Sequence, residues 1–227
     1  MNLTRLESLI KKENVEKIGK LNILVLGLGG VGGYVVESLI RSGVSKITLV
    51  DGDKIKPSNL NRQIITTSKN IDRYKTKEFK KRIKYINPKV KVTIINTFIN
   101  KDNLYLLFTQ NYDYIVDACD TTIVKILLMK ECLKRNIKLI SCMGSANKID
   151  GSLVGITTLN KTINDPLAKK IRKYFTENEM KKINVVSSTE KGKKSIELGS
   201  TSYVPAFTGL YATNYIIKDV ISEKKAK

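Results

Sequence analysis

Histidine is missing from this chain altogether, and cysteine occurs only three times in 227 residues. Without histidine there is no imidazole base for a Ser-His or Cys-His relay, and none for a metal centre. Cys119, Cys132 and Cys142 form no Cys-x-x-Cys pair, which leaves no basis for a structural zinc site. All three lie in or beside apolar segments and read as buried, reduced thiols. Long hydrophobic runs are missing too. No stretch approaches the roughly eighteen apolar residues that span a bilayer, and the N-terminus has no signal-peptide core. These absences predict a cytoplasmic chain with no membrane association. Acid is scarce: 21 Asp+Glu stand against 41 Lys+Arg, a formal charge of +20. Such an excess fits a polyanionic partner, a phosphate backbone above all. A lysine-rich compositional bias fits it equally well, and charge alone does not separate the two.

What is present is a strand-turn-helix-strand pattern with a polar loop behind it. The apolar run Leu21 to Leu26 enters Gly27-Leu28-Gly29-Gly30-Val31-Gly32-Gly33. A helix follows to Gly43, then the run Lys46 to Val50, which ends on Asp51-Gly52-Asp53. Glycine at this turn opens a helix N-terminus, whose free N–H groups and dipole attract phosphate. Gly27 permits the tight turn, Gly29 and Gly30 let backbone approach a phosphate, and Gly32 lets the helix pack closely on the strand. Asp51, about twenty residues on, is placed to accept from ribose hydroxyls.

A nicotinamide or flavin site is the usual reading of that fingerprint. The next loop argues for a triphosphate. It carries Asn59, Arg62 and Gln63, and a guanidinium can pair two phosphate oxygens at once. Lys75 offers a second cation. Asp117 and Asp120 close another apolar strand, where one of them can hold magnesium. Glycine cradle, ribose acid, arginine, lysine and metal acid together describe a site for MgATP.

The remaining pattern alternates helix and strand. Residues 1–20 read as one amphipathic helix. Lys54 to Asn70 is loop-like, and Asp72 reads as the cap of a helix running to about Tyr85. Strands are expected over Lys91–Ile95, Tyr112–Val116, Ile137–Cys142 and Leu153–Leu159, with helices over Asn103–Phe108 and Thr121–Arg135. Asp165-Pro166 starts a further helix by cap-and-proline logic. It carries Lys169, Lys170, Arg172 and Lys173 opposite Leu167, Ile171 and Phe175, which suits either a tRNA-contacting surface or an ordinary amphipathic helix. Residues 176–198 read as a mobile basic appendage, Gly199 to Gly209 as a connection, and Leu210 to Ile221 as a closing helix. The last lysines are expected to be disordered. This is an α/β chain, a single domain over 1–227, with a doubly wound, mainly parallel Rossmann-like sheet and helices on both faces.

The set Gly27-x-Gly29-Gly30-x-Gly32, Asp51-x-Asp53, Asn59-x-x-Arg62-Gln63, Lys75 and Asp117-x-x-Asp120 resembles the adenylating superfamily of ubiquitin-activating enzymes. Within it, the chain resembles most the tRNA threonylcarbamoyladenosine dehydratases. Ile86-Asn87-Pro88, Lys161-Thr162-x-x-Asp165-Pro166-Leu167-Ala168 and Gly199-Ser200 ahead of Val204-Pro205 carry that narrower resemblance. The resemblance runs from about Arg5 to about Tyr215. It implies Arg62, Lys75, Asp120 and Arg5 as catalytic residues, with Arg5 reaching across a homodimer to the partner's phosphates. Gly27, Gly29, Gly30, Gly32, Asp51, Asp53, Asn59, Arg62, Gln63 and Lys75 would bind ATP. Asp120 would hold magnesium, and Asp117 would be mainly structural. A monovalent cation (Na+ or K+) and a sulfur-relay protein are further family associations.

The implied reaction adenylates the threonine carboxylate of threonylcarbamoyladenosine, beside the tRNA anticodon, and cyclises it to a hydantoin. The alternative substrate is the C-terminus of a ubiquitin-like sulfur carrier. No cysteine follows Cys142, which closes the thioester route that ubiquitin-activating enzymes use. Some relatives carry a cysteine near Gly199-Ser200-Thr201; its absence here leaves the intramolecular route intact. A non-enzymatic nucleotide-sensing or tRNA-binding module is the remaining reading.

Overall fold

The computed structural model describes residues 1–193 and 197–222. Its frame is one seven-stranded sheet with the order β3-β2-β1-β4-β5-β7-β6. The strands are β1 (Asn22–Leu26), β2 (Lys46–Val50), β3 (Lys91–Ile95), β4 (Tyr114–Asp117), β5 (Lys138–Cys142), β6 (Val154–Thr158) and β7 (Asn184–Ser188). All neighbours run parallel except β6, which pairs antiparallel with β7 at the edge. Every residue of β1 is buried, as expected of a central strand covered on both faces.

Alternation along β1 divides the core in two. Ile23 and Val25 face a cluster containing α2 (Lys12–Lys20), α3 (Gly32–Arg41), α4 (Lys75–Ile86) and α8 (Tyr203–Ser222). Leu24 and Leu26 face the other cluster, built with α5 (Thr122–Arg135) and α6 (Pro166–Arg172). A period of two in the strand thus dictates helices on both sides, as the sequence pattern predicts.

Several boundaries differ from expectation. The helix expected over 1–20 is broken into α1 (Thr4–Ile10) and α2 by Lys11, whose φ is +70°. Asp72 does not cap α4. It sits at φ +63° and its N–H bonds to Ile55 O, while the helix begins at Lys75 behind Tyr74. Local backbone pairing between residues 53–55 and 72–75 has displaced the cap signal. The connection expected over Gly199 to Gly209 gives way at Tyr203 to α8. Pro205 lies in its first turn, where its missing N–H has no intrahelical partner to lose.

The stretch expected as a basic appendage over 176–198 contributes instead to the body. Thr176 caps the short α7 (Glu177–Met180) reciprocally with Glu179. Ile183, Val185 and Val186 are buried, and β7 lies between β5 and β6. Burial of that short apolar run outweighs the polar composition around it. Residues 194–196 of the stretch, and the C-terminal lysines expected to be disordered, lie outside the described residues. No helix among the described residues is long and apolar enough to cross a membrane.

Candidate active site

A cleft of about 930 Å³ opens at the carboxyl ends of β1, β2 and β4. The order of the sheet reverses between β1 and β4, the position where open α/β sheets receive ligands. The glycine turn forms one wall. Gly27 has φ +86°, and a Cβ there would lie 2.6 Å from Ala118 O. A Cβ on Gly32 would collide with the Gly27 carbonyl. Gly29 differs: its nearest neighbour would be Gln63 Nε2, 3.8 Å away, so its backbone stands open toward the cleft.

Asp51 braces this wall from below. One carboxylate oxygen accepts from Leu28 N at 2.7 Å and the other from Asp53 N at 2.7 Å. Burial pushes its carboxyl above the usual range, although Lys75 and the two backbone N–H groups oppose the shift. Lys75, at the first turn of α4, is buried with Nζ 2.8 Å from Asp53 and 3.8 Å from Asp51. The lysine predicted for phosphate is therefore held in place by both acids of the Asp-x-Asp motif.

The loop after Asp53 is built around its own side chains. Asn59 is buried, and its Oδ1 accepts from Lys56 N at 3.0 Å. Gln63 is buried with Oε1 lacking any partner, an orphaned acceptor beside the open glycine. Arg62 donates to Ser58 O and Asn61 Oδ1 and has no carboxylate partner among the described residues. Asn61 Nδ2 donates to Ser200 O at 3.2 Å, which ties the Gly199-Ser200 segment to this loop.

On the β4 side, Asp117 is fully buried. It accepts from Lys125 Nζ at 2.9 Å and Ser141 Oγ at 2.6 Å, and Cys119 N and Sγ donate to its other oxygen. Lys125 also donates to Cys142 O at 2.7 Å. Burial alone would lower the Lys125 pKa, but the Asp117 carboxylate outweighs it and holds the ammonium charged. Asp117 is thus structural, as the motif implies. Asp120, three residues on, is exposed in the cleft and accepts from Thr121 Oγ1 at 3.4 Å.

Of the residues implied as functional, the structure gathers Gly27, Gly29, Gly30, Asp51, Asp53, Asn59, Arg62, Gln63, Lys75 and Asp120 around one cleft. Gly32 supports it from behind. Arg5 is exposed on α1 and does not line the cleft of its own chain. The Lys161-to-Ala168 motif turns out to be mainly architectural. Asp165 caps α6 through Ala168 N, Thr162 O accepts from Arg172, and Leu167 reaches the cleft.

Sequence reasoning missed Lys125 and the buried Lys148, which lies 3.7 Å from Asp165. The signal for Lys125 was a lone cation inside an apolar helical run, eight residues after Asp117.

The cleft suits a nucleotide: open backbone at Gly29, a buried unpaired acceptor at Gln63, and cations at Arg62 and Lys75. It holds no protein cage for a metal, since no group of three or more His, Cys, Asp or Glu side chains converges among the described residues. A lone exposed carboxylate such as Asp120 suits magnesium, which keeps water and substrate phosphates as its other ligands.

Known proteins resemble this chain in sequence and fold. The tRNA threonylcarbamoyladenosine dehydratase of Bacillus subtilis is 35% identical over 244 aligned residues, covering 99% of this chain and 96% of the relative. The enzyme of the same name from Haemophilus influenzae is 37% identical, covering 78% of this chain and 71% of the relative. The crystal structure of Escherichia coli tRNA N6-threonylcarbamoyladenosine dehydratase in complex with ATP superposes with a TM-score of 0.93 at 30% identity, covering 97% of this chain and 94% of that one. A complex of the same enzyme with AMP matches equally well. The model of the ThiF family matches residues 3–226, and with glycine wall, Asp-x-Asp brace, arginine loop and Asp120 all on one cleft, the chain belongs to the ThiF family.

Proposed function

We propose that this chain is an ATP-dependent tRNA threonylcarbamoyladenosine dehydratase. The observation that carries the reading is the placement of Arg62, Lys75 and Asp120 on the same cleft as the open backbone at Gly29, in a chain 35% identical to a protein of that name over nearly its full length.

The glycine wall would receive the phosphates. Asp51 and Asp53 would meet the ribose, with the free lone pairs of Asp51 accepting while its bonds to Leu28 and Asp53 hold it still. Asn59 and Gln63 would orient phosphate or ribose oxygens. The substrate's threonine carboxylate attacks the α-phosphate of ATP, and pyrophosphate leaves. The carbamoyl nitrogen then closes on the activated carbonyl carbon, AMP departs with the carboxylate oxygen, and a hydantoin remains. The net change in the tRNA is loss of water. Arg62 and Lys75 would balance charge on the phosphates, and a magnesium ion on Asp120 would neutralise more of it.

No protein nucleophile is needed, and the two cysteines that line the cleft are not activated. Burial and the neighbouring Asp117 charge push the Cys119 thiol well above its usual range, and burial pushes Cys142 up to about 12. Neither is a thiolate near neutral pH. The sulfur-carrier alternative therefore draws no support from the cysteines. The reading needs neither a monovalent cation nor a sulfur-relay partner. It does take Arg5 as a residue contributed across a homodimer to the partner's cleft.

The test is mass spectrometry of nucleosides from tRNA bearing linear threonylcarbamoyladenosine, incubated with the protein and MgATP. A loss of one water that requires ATP and disappears in Asp120→Ala is the expected result. Unchanged nucleosides with ATP bound would overturn the reading.

A further inference from the structure

The outer face of α6 and the segment after β7 form a basic rim beside the cleft. On α6, Ala168 and Ile171 are buried and Leu167 reaches the cleft, while Lys169, Lys170 and, just past the helix, its C-cap Lys173 are exposed. At about 1.5 Å of rise per residue, Lys170 stands only about 4.5 Å along the axis from Leu167. The segment after β7 lies alongside. Asn164 Nδ2, just ahead of α6, donates to Thr189 O at 2.8 Å. Lys193 N donates to Asn147 O at 2.8 Å, next to cleft-lining Ala146. Lys191 and Lys193 are exposed there.

Most cations of the other basic helix are paired, Lys80 excepted. On α4, Lys81 pairs with Glu78, Arg82 pairs with Glu37, Lys84 holds the carbonyls of Pro88 and Val90, and Lys77 lies over the Tyr74 ring. The side chains of Lys169, Lys170, Lys173, Lys191 and Lys193 make no hydrogen bond or ion pair among the described residues; the bonds at Lys169, Lys173 and Lys193 are made by their backbones. The neighbouring acids are engaged elsewhere: Asp165 accepts from Ala168 N, Glu190 accepts from Ile149 N and Asp150 N, Glu177 accepts from Asn160, and Glu179 accepts from Thr176 at the start of α7. Beside the lysines, Ile163 is 56% exposed and Tyr174 54% exposed. Unpaired ammonium groups next to an exposed aromatic ring are what a single-stranded, unstacked RNA segment recognises, by phosphate charge and base stacking.

We propose that this rim, made of Lys169 and Lys170 on α6, Lys173 at its C-cap, and Lys191 and Lys193 after β7, is the surface that binds the tRNA anticodon arm and delivers its modified base to the cleft. The inference rests on the tRNA reading above and adds the face on which the tRNA lies. The α4 face, at the far side of β2, is not part of it.

The experiment measures binding of a fluorescent anticodon stem-loop RNA carrying threonylcarbamoyladenosine, by anisotropy across a salt series. Four forms are compared: wild type, Lys169→Glu/Lys170→Glu/Lys173→Glu, Lys191→Glu/Lys193→Glu, and the control Lys80→Glu/Lys89→Glu on the α4 side. ATP affinity is measured in each as the check on folding. Rim reversal is expected to weaken RNA binding by about tenfold or more and to flatten the salt slope by about two. The control is expected to stay close to wild type, and ATP affinity to stay unchanged throughout. Equal weakening by rim and control reversals, or no weakening by the rim, would overturn the rim while leaving the tRNA reading standing. A wild-type protein that fails to bind the RNA would overturn both.

Discussion

A single methyl group decides whether the nucleotide wall can form. In Gly32→Ala the new Cβ meets the Gly27 carbonyl, and Gly27 is itself pinned against Ala118 with φ +86°. Neither backbone can yield without moving β1 or β4. We expect Gly32→Ala to abolish ATP binding in calorimetric titration, and near-wild-type affinity would sink this account of the turn. A second residue acts from beneath. Lys125 clamps Asp117, which in turn holds Cys119 N and so sets the turn presenting Asp120. In Lys125→Met, Asp117 is left charged and buried, and stability should fall by about 3–5 kcal/mol in urea denaturation. A loss below about 1 kcal/mol, the size seen for exposed pairs, would show that the clamp is idle.

Among the elements, α3 and α4 are joined by one charge cluster. Arg82 of α4 and Arg41 of α3 both donate to Glu37. Burial alone would raise the Glu37 carboxyl, but these hydrogen bonds outweigh it and hold it below its ordinary 4.5. The unfolded chain then binds the proton more readily than the folded one. The stability from this cluster is present above pH 4.5 and is lost as pH falls through the lower, folded value. Glu37→Gln should flatten the drop in melting temperature between about pH 5 and 3; parallel curves for variant and wild type would refute the linkage. Legibility also divides at this scale. Strands and helices that follow their own periodicity, such as β1, α3, β3 and α5, stand where the pattern puts them. So do Arg62, Gln63 and Asp120, whose spacing from a strand end is local. Features set by distant partners were hidden. Lys11 breaks a continuous helical pattern at positive φ, Asp72 lost its cap role to the pairing of residues 53–55 with 72–75, and the buried run Ile183 to Val186 was masked by lysines around it. Asp51 reads as a ribose acid, yet only the fold shows it bracing Leu28 as well.

For the whole molecule, the exposed Arg5 sets a question of assembly. Its own cleft does not include it, and the proposed dimer gives it a site in the partner. Arg5→Ala and Arg62→Ala should each lose activity alone. Mixed and allowed to exchange subunits, they should recover about a quarter of wild-type turnover, because half the dimers are mixed and each of those has one complete site. No recovery on mixing, with exchange verified, would place Arg5 in its own chain's chemistry or outside it.

The position of β7 carries a consequence for synthesis. β6 is made first, but among the described residues its only partner in the sheet is β7, and β7 is also what separates it from β5. As the chain leaves the ribosome, β6 has nowhere to dock until Ser188 has followed it out. Until then β5 presents an open edge, the kind that recruits strands from other molecules. With β1, β2, β4 and β5 already in hand, most of the cleft's lining exists before the sheet can be sealed. A nascent chain stalled near residue 180 would thus be the form of this protein most exposed to misassociation, and the one a chaperone would meet.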